Sequence, residues 1–234
     1  MKKDLLVFVV TYNSSFRLKH ICKKLFNLKK KLSFDILISD DCSTDNTSAY
    51  FPKTKKGILI NINRFNLGYG GNVKKCLNYA LKKNYKYAVM IHGDNQYDSR
   101  YINSLYKKIS RTNSDAVTGS RMMKPKDALN GKMPLYKWLG NFILTKLFNL
   151  IFKTNFTDAH TGLWIYNLKT LRQIKINNLD NGFNFDNQMR IKYIKMKKNI
   201  LEVPIKTYYR NEKSSYHFIY ALKFVNEIVK SLYK

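Results

Sequence analysis

Acidic residues are the scarce charged class in this chain. Fifteen Asp+Glu stand against 43 Lys+Arg in 234 residues, a formal net charge of +28 at pH 7. Cysteine is nearly absent: Cys22, Cys42 and Cys76 are odd in number, far apart and form no CxxC pair. That argues against a disulfide framework or a cysteine-based zinc site and predicts reduced thiols. Four prolines leave no Pro-rich boundary, and no internal repeat or low-complexity linker divides the chain. Long apolar runs are also missing. The most apolar stretch, residues 138–152, carries Asn141 and Lys146 and is shorter than the roughly 20 residues a spanning helix needs, so no transmembrane helix is expected. The apolar run Leu5–Val10 is too short and wrongly flanked for a secretory signal, which predicts a cytosolic chain. What is present is 44% hydrophobic and 14% aromatic residues, enough to bury the core of one large domain, or of one domain with an appendage.

The cation excess has several readings. Of the 43 cations 35 are Lys, spread along the whole chain beside 25 Asn. This fits a composition bias that aids solubility, a surface for anionic lipid or an anionic substrate, or a nucleic-acid surface, the last being the reading least suited to so few Arg. The acids are more telling, because Asp40, Asp41, Asp45, Asp94, Asp98, Asp158 and Asp186 all fall in the segments singled out below.

Leu5–Val10 reads as a strand buried on both faces. A helix follows, capped by Ser14 or Ser15, with Leu18, Ile21, Cys22, Leu25 and Leu28 at helical spacing up to Lys29-Lys30-Lys31. Strands at 35–39, 57–62, 87–91 and 116–119 then alternate with a short helix after Ser43 and helices near 71–83 and 100–110. Such alternation predicts a mainly parallel sheet flanked by helices, with ligands at the carboxyl ends of the strands. Residues 135–153 read as a helix whose polar residues Lys137, Asn141, Thr145, Asn149 and Lys153 recur every fourth position. Its wide apolar face needs a cover, either the protein core or a membrane interface. The C-terminal stretch 216–234 is a second amphipathic helix by the same criterion.

The chemistry-bearing residues lie at the predicted strand ends. Asp40-Asp41-Cys42-Ser43-Thr44-Asp45 offers more carboxylates than one helix cap requires and suits hydrogen bonds to a base and ribose. Thr11-Tyr12-Asn13 adds a ring able to stack. Asn66-Leu67-Gly68-Tyr69-Gly70-Gly71-Asn72 is a Gly-rich turn into a helix, which either cradles phosphate or simply turns. In His92-Gly93-Asp94-Asn95-Gln96, alternate residues share a face and present N and O ligands; Mg²⁺ or Mn²⁺ carrying a diphosphate needs only one or two protein carboxylates. Asp94 could equally cap the next helix. Gly119-Ser120-Arg121 supplies a cation suited to phosphate. Asp158-Ala159-His160-Thr161-Gly162, Gly182-Phe183-Asn184-Phe185-Asp186 and Tyr209-Arg210-Asn211-Glu212-Lys213 complete the set.

In this order, along residues 10–215, the motifs resemble family 2 glycosyltransferases of the GT-A fold, in the branch of dolichyl- and polyprenyl-phosphate sugar synthases. The resemblance implies a GT-A, Rossmann-like α/β domain over 1–215, with a nucleotide-sugar half (1–121) and an acceptor half (122–215), followed by the helix of 216–234. It implies nucleotide contacts from Thr11, Tyr12, Asn13, Asp40, Asp41 and Asn72, and an Mg²⁺ or Mn²⁺ site at Asp94 and Gln96. Acceptor or phosphate contacts would fall to Arg121, Asp158, Arg210 and Lys213. Two positions depart from the family pattern. His92 stands where Asp is usual, so it either ligates the metal or leaves Asp94 nearly alone, and Ser14 replaces the usual Glu.

The nature of the acceptor sets the chemistry. A sugar hydroxyl needs a carboxylate base, for which Asp186 is the first candidate and Asp158 the second. A polyprenyl phosphate, with a second pKa near about 6, is already ionised and needs cations instead. The resulting expectation is inverting transfer from a nucleoside diphosphate sugar to a polyprenyl phosphate, with Asp94, Asp186 and Arg121 as catalytic residues. The enzyme would sit at the cytosolic face of a membrane, reached through amphipathic helices or a membrane-protein partner, and would not bind nucleic acid. Transfer to a glycan hydroxyl in surface polysaccharide synthesis is the alternative within the same class. A stacking nucleic-acid module and a non-catalytic nucleotide-sugar binder are the alternatives outside it.

Overall fold

A computed structural model describes residues 3–53, 57–207, 209 and 224–229. Arg210, Lys213 and most of 216–234 lie outside these. Seven strands form one sheet, β1 (Leu5–Thr11), β2 (Asp35–Asp40), β3 (Ile58–Ile62), β4 (Tyr87–His92), β5 (Ala116–Ser120), β6 (Trp164–Asn167) and β7 (Ile200–Pro204), in the order β3-β2-β1-β4-β6-β5-β7. The helices are α1 (Ser15–Lys29), α2 (Tyr69–Lys82), α3 (Tyr101–Thr112), α4 (Pro125–Asn130), α5 (Leu135–Phe152), α6 (Leu168–Leu171) and α7 (Phe185–Lys195), and 224–229 is also helical.

Every residue of β1 is buried, as a central parallel strand requires. The pleat sends alternate residues into two layers. Leu5, Val7 and Val9 pack with Leu18, Ile21 and Leu25 of α1 and Ile102, Leu105 and Ile109 of α3. Leu6, Phe8 and Val10 pack with Val73 and Leu77 of α2, Leu168 and Leu171 of α6, and Phe185 and Met189 of α7. Each such side chain contributes about 1.5–3 kcal/mol on burial, so the two layers fix the sheet and with it the row of strand ends.

The structure departs from the sequence reading in three places. First, β6 runs antiparallel between β4 and β5; its four residues include the buried run Trp164-Ile165-Tyr166, too short to show a periodicity. Second, α4, α6, α7 and β7 were not foreseen, and β7 continues the sheet in parallel with β5. Third, no side-chain cap bond comes from Ser14 at α1. Instead the Ser14 and Ser15 amides donate to Thr47 Oγ1 at 2.8 and 2.9 Å, while Asp45 caps the short helical turn Asn46–Tyr50 by accepting from the Thr47 amide.

The N-terminus of α2 is pressed against the loop before α7. The Gly71 amide donates to Asn181 O at 3.1 Å, and a Cβ on Gly70 would lie 2.4 Å from Asp180 O and 2.8 Å from Gly182 O. Both obstacles are backbone and cannot rotate away. Gly70→Ala should therefore lower stability by about 2 kcal/mol in urea denaturation. Gly140→Ala, with nothing within 4 Å of the added carbon and a helical backbone around it, should raise stability by up to about 1 kcal/mol.

Candidate active site

The ends of β1, β2 and β4 are aligned by register, Thr11 opposite Asp40 and Val10 opposite His92. At the end of β2, Asp40 and Asp41 shape the loops that follow. Asp40 accepts from the Ser43 amide at 3.0 Å and from Ser43 Oγ, and Ser43 Oγ in turn accepts from the Asn13 amide at 2.8 Å. Asp41 accepts from Asn63 Nδ2 at 2.8 Å and the Leu67 amide at 2.9 Å, which sets the course of the Gly-rich turn. Asn72 is buried behind that turn, with Ser39 Oγ donating to its Oδ1 at 2.6 Å and its Nδ2 donating to Ser39 O at 3.0 Å. Tyr12, 49% exposed, is the ring open to a ligand here. Thr11 Oγ1 is buried without a partner, and a Cβ on Gly93 would approach it to 2.6 Å, so this glycine is needed for the strand ends to close up.

His92 is turned into the protein. Its Nε2 lies 3.2 Å from Gly162 O and 3.4 Å from Tyr69 OH, and its ring meets the Tyr97 ring edge-on at 5.3 Å. Because a carbonyl only accepts, Nε2 carries the proton, and burial pushes the imidazole pKa down. The remaining ring nitrogen is Nδ1. Asp94 Oδ1 accepts from the Gln96 backbone amide at 2.9 Å, a local turn that folds the segment after β4. Among the described residues no group of three or more His, Cys, Asp or Glu is arranged to hold a metal. Asp94 with the Gln96 side-chain carbonyl oxygen would make an oxygen-donor set that fits a Mg²⁺ or Mn²⁺ ion whose other ligands come from diphosphate and water.

After β5, Arg121 is paired with Asp158. Arg121 Nε donates to Asp158 Oδ2 at 2.7 Å and Nη2 donates to Oδ1 at 2.9 Å, with Asp158 fully buried. Burial alone would raise the Asp158 carboxyl, but the Arg121 charge and the hydrogen bonds from Arg121 and Asn141 hold it well below the usual range. Arg121 Nη1 donates to Tyr209 OH at 3.2 Å. Lys137 Nζ lies 5.6 Å from the Tyr209 ring centroid, and partial burial followed by the charge of Arg121 lowers its pKa. The sequence held a sign of Lys137, its place in the every-fourth polar stripe, that the motif reading did not use.

Asp186 is held apart from that pair. Its Oδ2 accepts from Tyr69 OH at 2.8 Å, and its Oδ1 is buried without a partner. Burial pushes its pKa up to about 7 against the lowering effects of the Tyr69 bond and the Arg190 charge. Tyr69 thus stands between His92 and Asp186, stacked on Phe183 at 5.1 Å. It lies in the Gly-rich motif, yet nothing in the one-dimensional pattern marks its hydroxyl.

Helix α5 is turned inside out. Its polar stripe faces the protein: Asn141 Nδ2 donates to Asp158 Oδ1 at 3.0 Å, Thr145 Oγ1 accepts from the Ala159 amide at 3.2 Å, and Asn149 Nδ2 donates to Phe156 O at 2.7 Å. The apolar face is outside, with Leu135 69%, Tyr136 72% and Leu150 78% exposed and Leu139, Phe142, Ile143 and Leu147 also open. The core covers part of this face, since Phe148 is fully buried with Leu144, Ile151 and Phe152 packed against the same cluster, while the rest stays exposed. No helix among the described residues is long and apolar enough to cross a membrane.

Residues 6–175 match the family model described as glycosyl transferase family 2. An uncharacterised protein of Methanocaldococcus jannaschii is 32% identical over 227 residues, 92% of this chain and 93% of its own length. A Methanococcus voltae protein named UDP-N-acetylglucosamine--dolichyl-phosphate N-acetylglucosaminyltransferase is 28% identical over 224 residues, 88% of this chain and 87% of its own length. Among solved structures, glucosyl-3-phosphoglycerate synthase of Mycobacterium tuberculosis in complex with UDP superposes with a TM-score of 0.70 at 11% identity, covering 98% of this chain and 79% of that one. It has also been solved with Mn²⁺, UDP and phosphoglyceric acid, at a TM-score of 0.67 and 11% identity over 98% of this chain and 77% of that one. At that identity the likeness establishes the fold, a GT-A sheet with flanking helices.

Two substitutions test the electrostatics. Asp186 has a folded pKa above its unfolded value, so its contribution is fully favourable only in acid and is lost as pH rises through about 7. Asp186→Asn should therefore gain stability relative to the parent between pH 5 and pH 8, on the order of 2 kcal/mol by chemical denaturation. Arg121→Ala leaves Asp158 buried without its cation and should cost about 3–5 kcal/mol, much of it recovered in the Arg121→Ala/Asp158→Asn double variant.

Proposed function

This chain belongs to glycosyl transferase family 2, and we propose that it moves a sugar from a nucleoside diphosphate sugar to a polyprenyl phosphate at a membrane surface. The observation that carries the reading is α5, whose exposed apolar face begins beside Lys137 and, through Asn141, is anchored to the Arg121–Asp158 pair. A lipid lying along that face would bring its phosphate to Lys137, Arg121 and Tyr209. The exposed Lys132, Lys146 and Lys153 around it suit anionic headgroups. The name of the M. voltae relative points to the same acceptor class.

In the proposed reaction an acceptor phosphate oxygen attacks the anomeric carbon while the bond to the nucleoside diphosphate oxygen breaks, with inversion. A divalent ion, held by Asp94 and Gln96 together with the donor diphosphate, would supply charge where the leaving group gains it. The loops built by Asp40 and Asp41 would hold base and ribose, with Tyr12 stacking. The acceptor is already ionised, so the cations bind and orient it, and no base is required. A second reading, transfer to a glycan hydroxyl, is favoured by one specific feature. Asp186, at about 7, is poised to accept a proton near neutral pH.

The deciding assay incubates the protein with a panel of nucleotide sugars, Mg²⁺ or Mn²⁺, and either a short polyprenyl phosphate or oligosaccharides, with products identified by mass. Lipid-linked product is expected; transfer to oligosaccharide alone would establish the second reading. With the lipid acceptor, Lys137→Ala should raise KM by about tenfold with little change in kcat. Ile143→Glu with Leu150→Glu should abolish sedimentation with anionic vesicles while leaving the melting temperature unchanged.

A further inference from the structure

The helix of 224–229 lies beyond residues 6–175, the stretch that matches the family model, and the proposed reaction does not draw on it. Phe224, Glu227 and Ile228 share one of its faces, being three and four positions apart. Phe224 and Ile228 are buried in a cluster with Phe148 of α5, Ala159 and Ile191 of α7. The Phe224 ring stacks on Phe148 at 5.9 Å and meets the His160 ring edge-on at 4.4 Å. That anchor sets the helix beside the segment 158–160 and turns Glu227 to the start of α7, where its Oε2 accepts from Asn184 Nδ2 at 3.1 Å.

Asn184 occupies the position from which a side chain commonly caps a helix, yet it makes no cap bond to α7. Its Nδ2 goes to Glu227 instead, and its Oδ1 accepts from Asn187 Nδ2 at 3.1 Å. A carboxylate held at this end also suits the positive N-terminus of α7. The turn leading to Asn184 is exposed at Asp180, Asn181 and Phe183, so local burial does little to hold it. One grip comes from α2, through the Gly71 amide on Asn181 O, the stack of Tyr69 on Phe183 and the Tyr69 hydroxyl on Asp186 Oδ2. Glu227 supplies a second, from a part of the chain far from the first. Asp186, in the first turn of α7, is carried by the turn they hold.

We propose that the helix of 224–229 completes the site as a strap over the start of α7, with Glu227 the positioning residue that holds the turn 180–186 through Asn184. Its bearing on turnover rests on the sugar-transfer reading, whereas the hold on the turn does not, so one arm of the test needs no substrate. Amide hydrogen exchange is followed by mass spectrometry in the parent, in Glu227→Ala and in Glu227→Gln, which keeps a carbonyl oxygen to accept from Asn184. Exchange over 180–188 should quicken by about tenfold in Glu227→Ala and stay within about threefold of the parent in Glu227→Gln, while β1 and β4 exchange as in the parent. With a nucleotide sugar and a short polyprenyl phosphate, kcat should fall by about tenfold in Glu227→Ala with KM for the nucleotide sugar unchanged. The Asn184→Ala/Glu227→Ala double variant should then lose no more than either single variant. Unmoved exchange over 180–188 in Glu227→Ala, or losses that multiply in the double variant, would overturn the proposal. Faster exchange with an unchanged kcat would overturn it equally and leave Glu227 as a contact of the fold alone. If the parent transfers sugar to no acceptor, the sugar-transfer reading fails and the exchange arm alone decides the strap.

Discussion

The buried pair of Arg121 and Asp158 is the interaction on which the part of the fold around β5, α5 and β7 depends. Two ions removed from water must be matched and hydrogen-bonded almost completely, and here the requirement recruits four parts of the chain. The end of β5 gives the cation, the segment after α5 gives the anion, Asn141 of α5 donates to the anion and Tyr209 accepts from the cation. Glu202 of β7 fixes the Thr157 and Asp158 amides from beneath. The orientation of α5 follows. Asn141, Thr145 and Asn149 must point inward to satisfy this segment, and a helix with that stripe inside turns Leu139, Phe142, Ile143, Leu147 and Leu150 outward while Phe148 stays in the core.

The ends of β1 and β2 are built differently, with carboxylates spent on backbone geometry. Asp40 holds the turn at Ser43, and Asp41 holds the turn that leads into α2. Loops cover no hydrophobic core and hold their course through such bonds. The consequence is a rigid rim of turns around strand ends that are themselves clamped by the two apolar layers, with Gly68, at φ +76°, and Gly70 letting α2 and the loop before α7 come close.

Much of this frame was legible in the sequence because hydrophobic period reports burial directly. Strands β1 to β5 and helices α1, α2, α3 and α5 follow from it within a residue or two. Strand β6 was not legible, since a four-residue buried segment has no period to read, and α7 was hidden because its buried face includes Arg190. The direction of α5 was beyond the pattern altogether. An every-fourth polar stripe says that two faces differ, and only the partners of Asn141 and Thr145 say which face is inside. At the candidate site the strand-end residues were legible as residue types at strand termini. The pairing of Arg121 with Asp158 and the bridge from His92 through Tyr69 to Asp186 join positions far apart in the chain, and such contacts exist only once the sheet has ordered them.

The scarcity of acids acquires a physical meaning from these contacts. Asp35, Asp98, Asp127 and Asp158 are in ion pairs with Lys3, Arg100, Lys206 and Arg121, while Asp40, Asp41, Asp45 and Asp115 are bound to backbone amides or hydroxyls. All fifteen carboxylates are already counted in the net charge of +28, so the remaining cations have no acid to offset them. A surface of one sign attracts any anion, lipid headgroup or diphosphate alike, and raises encounter rates without choosing between them. Choice has to come from shape, and the shape this surface offers beside Lys137 is an apolar helix face. That is why the acceptor reading rests on α5 rather than on net charge.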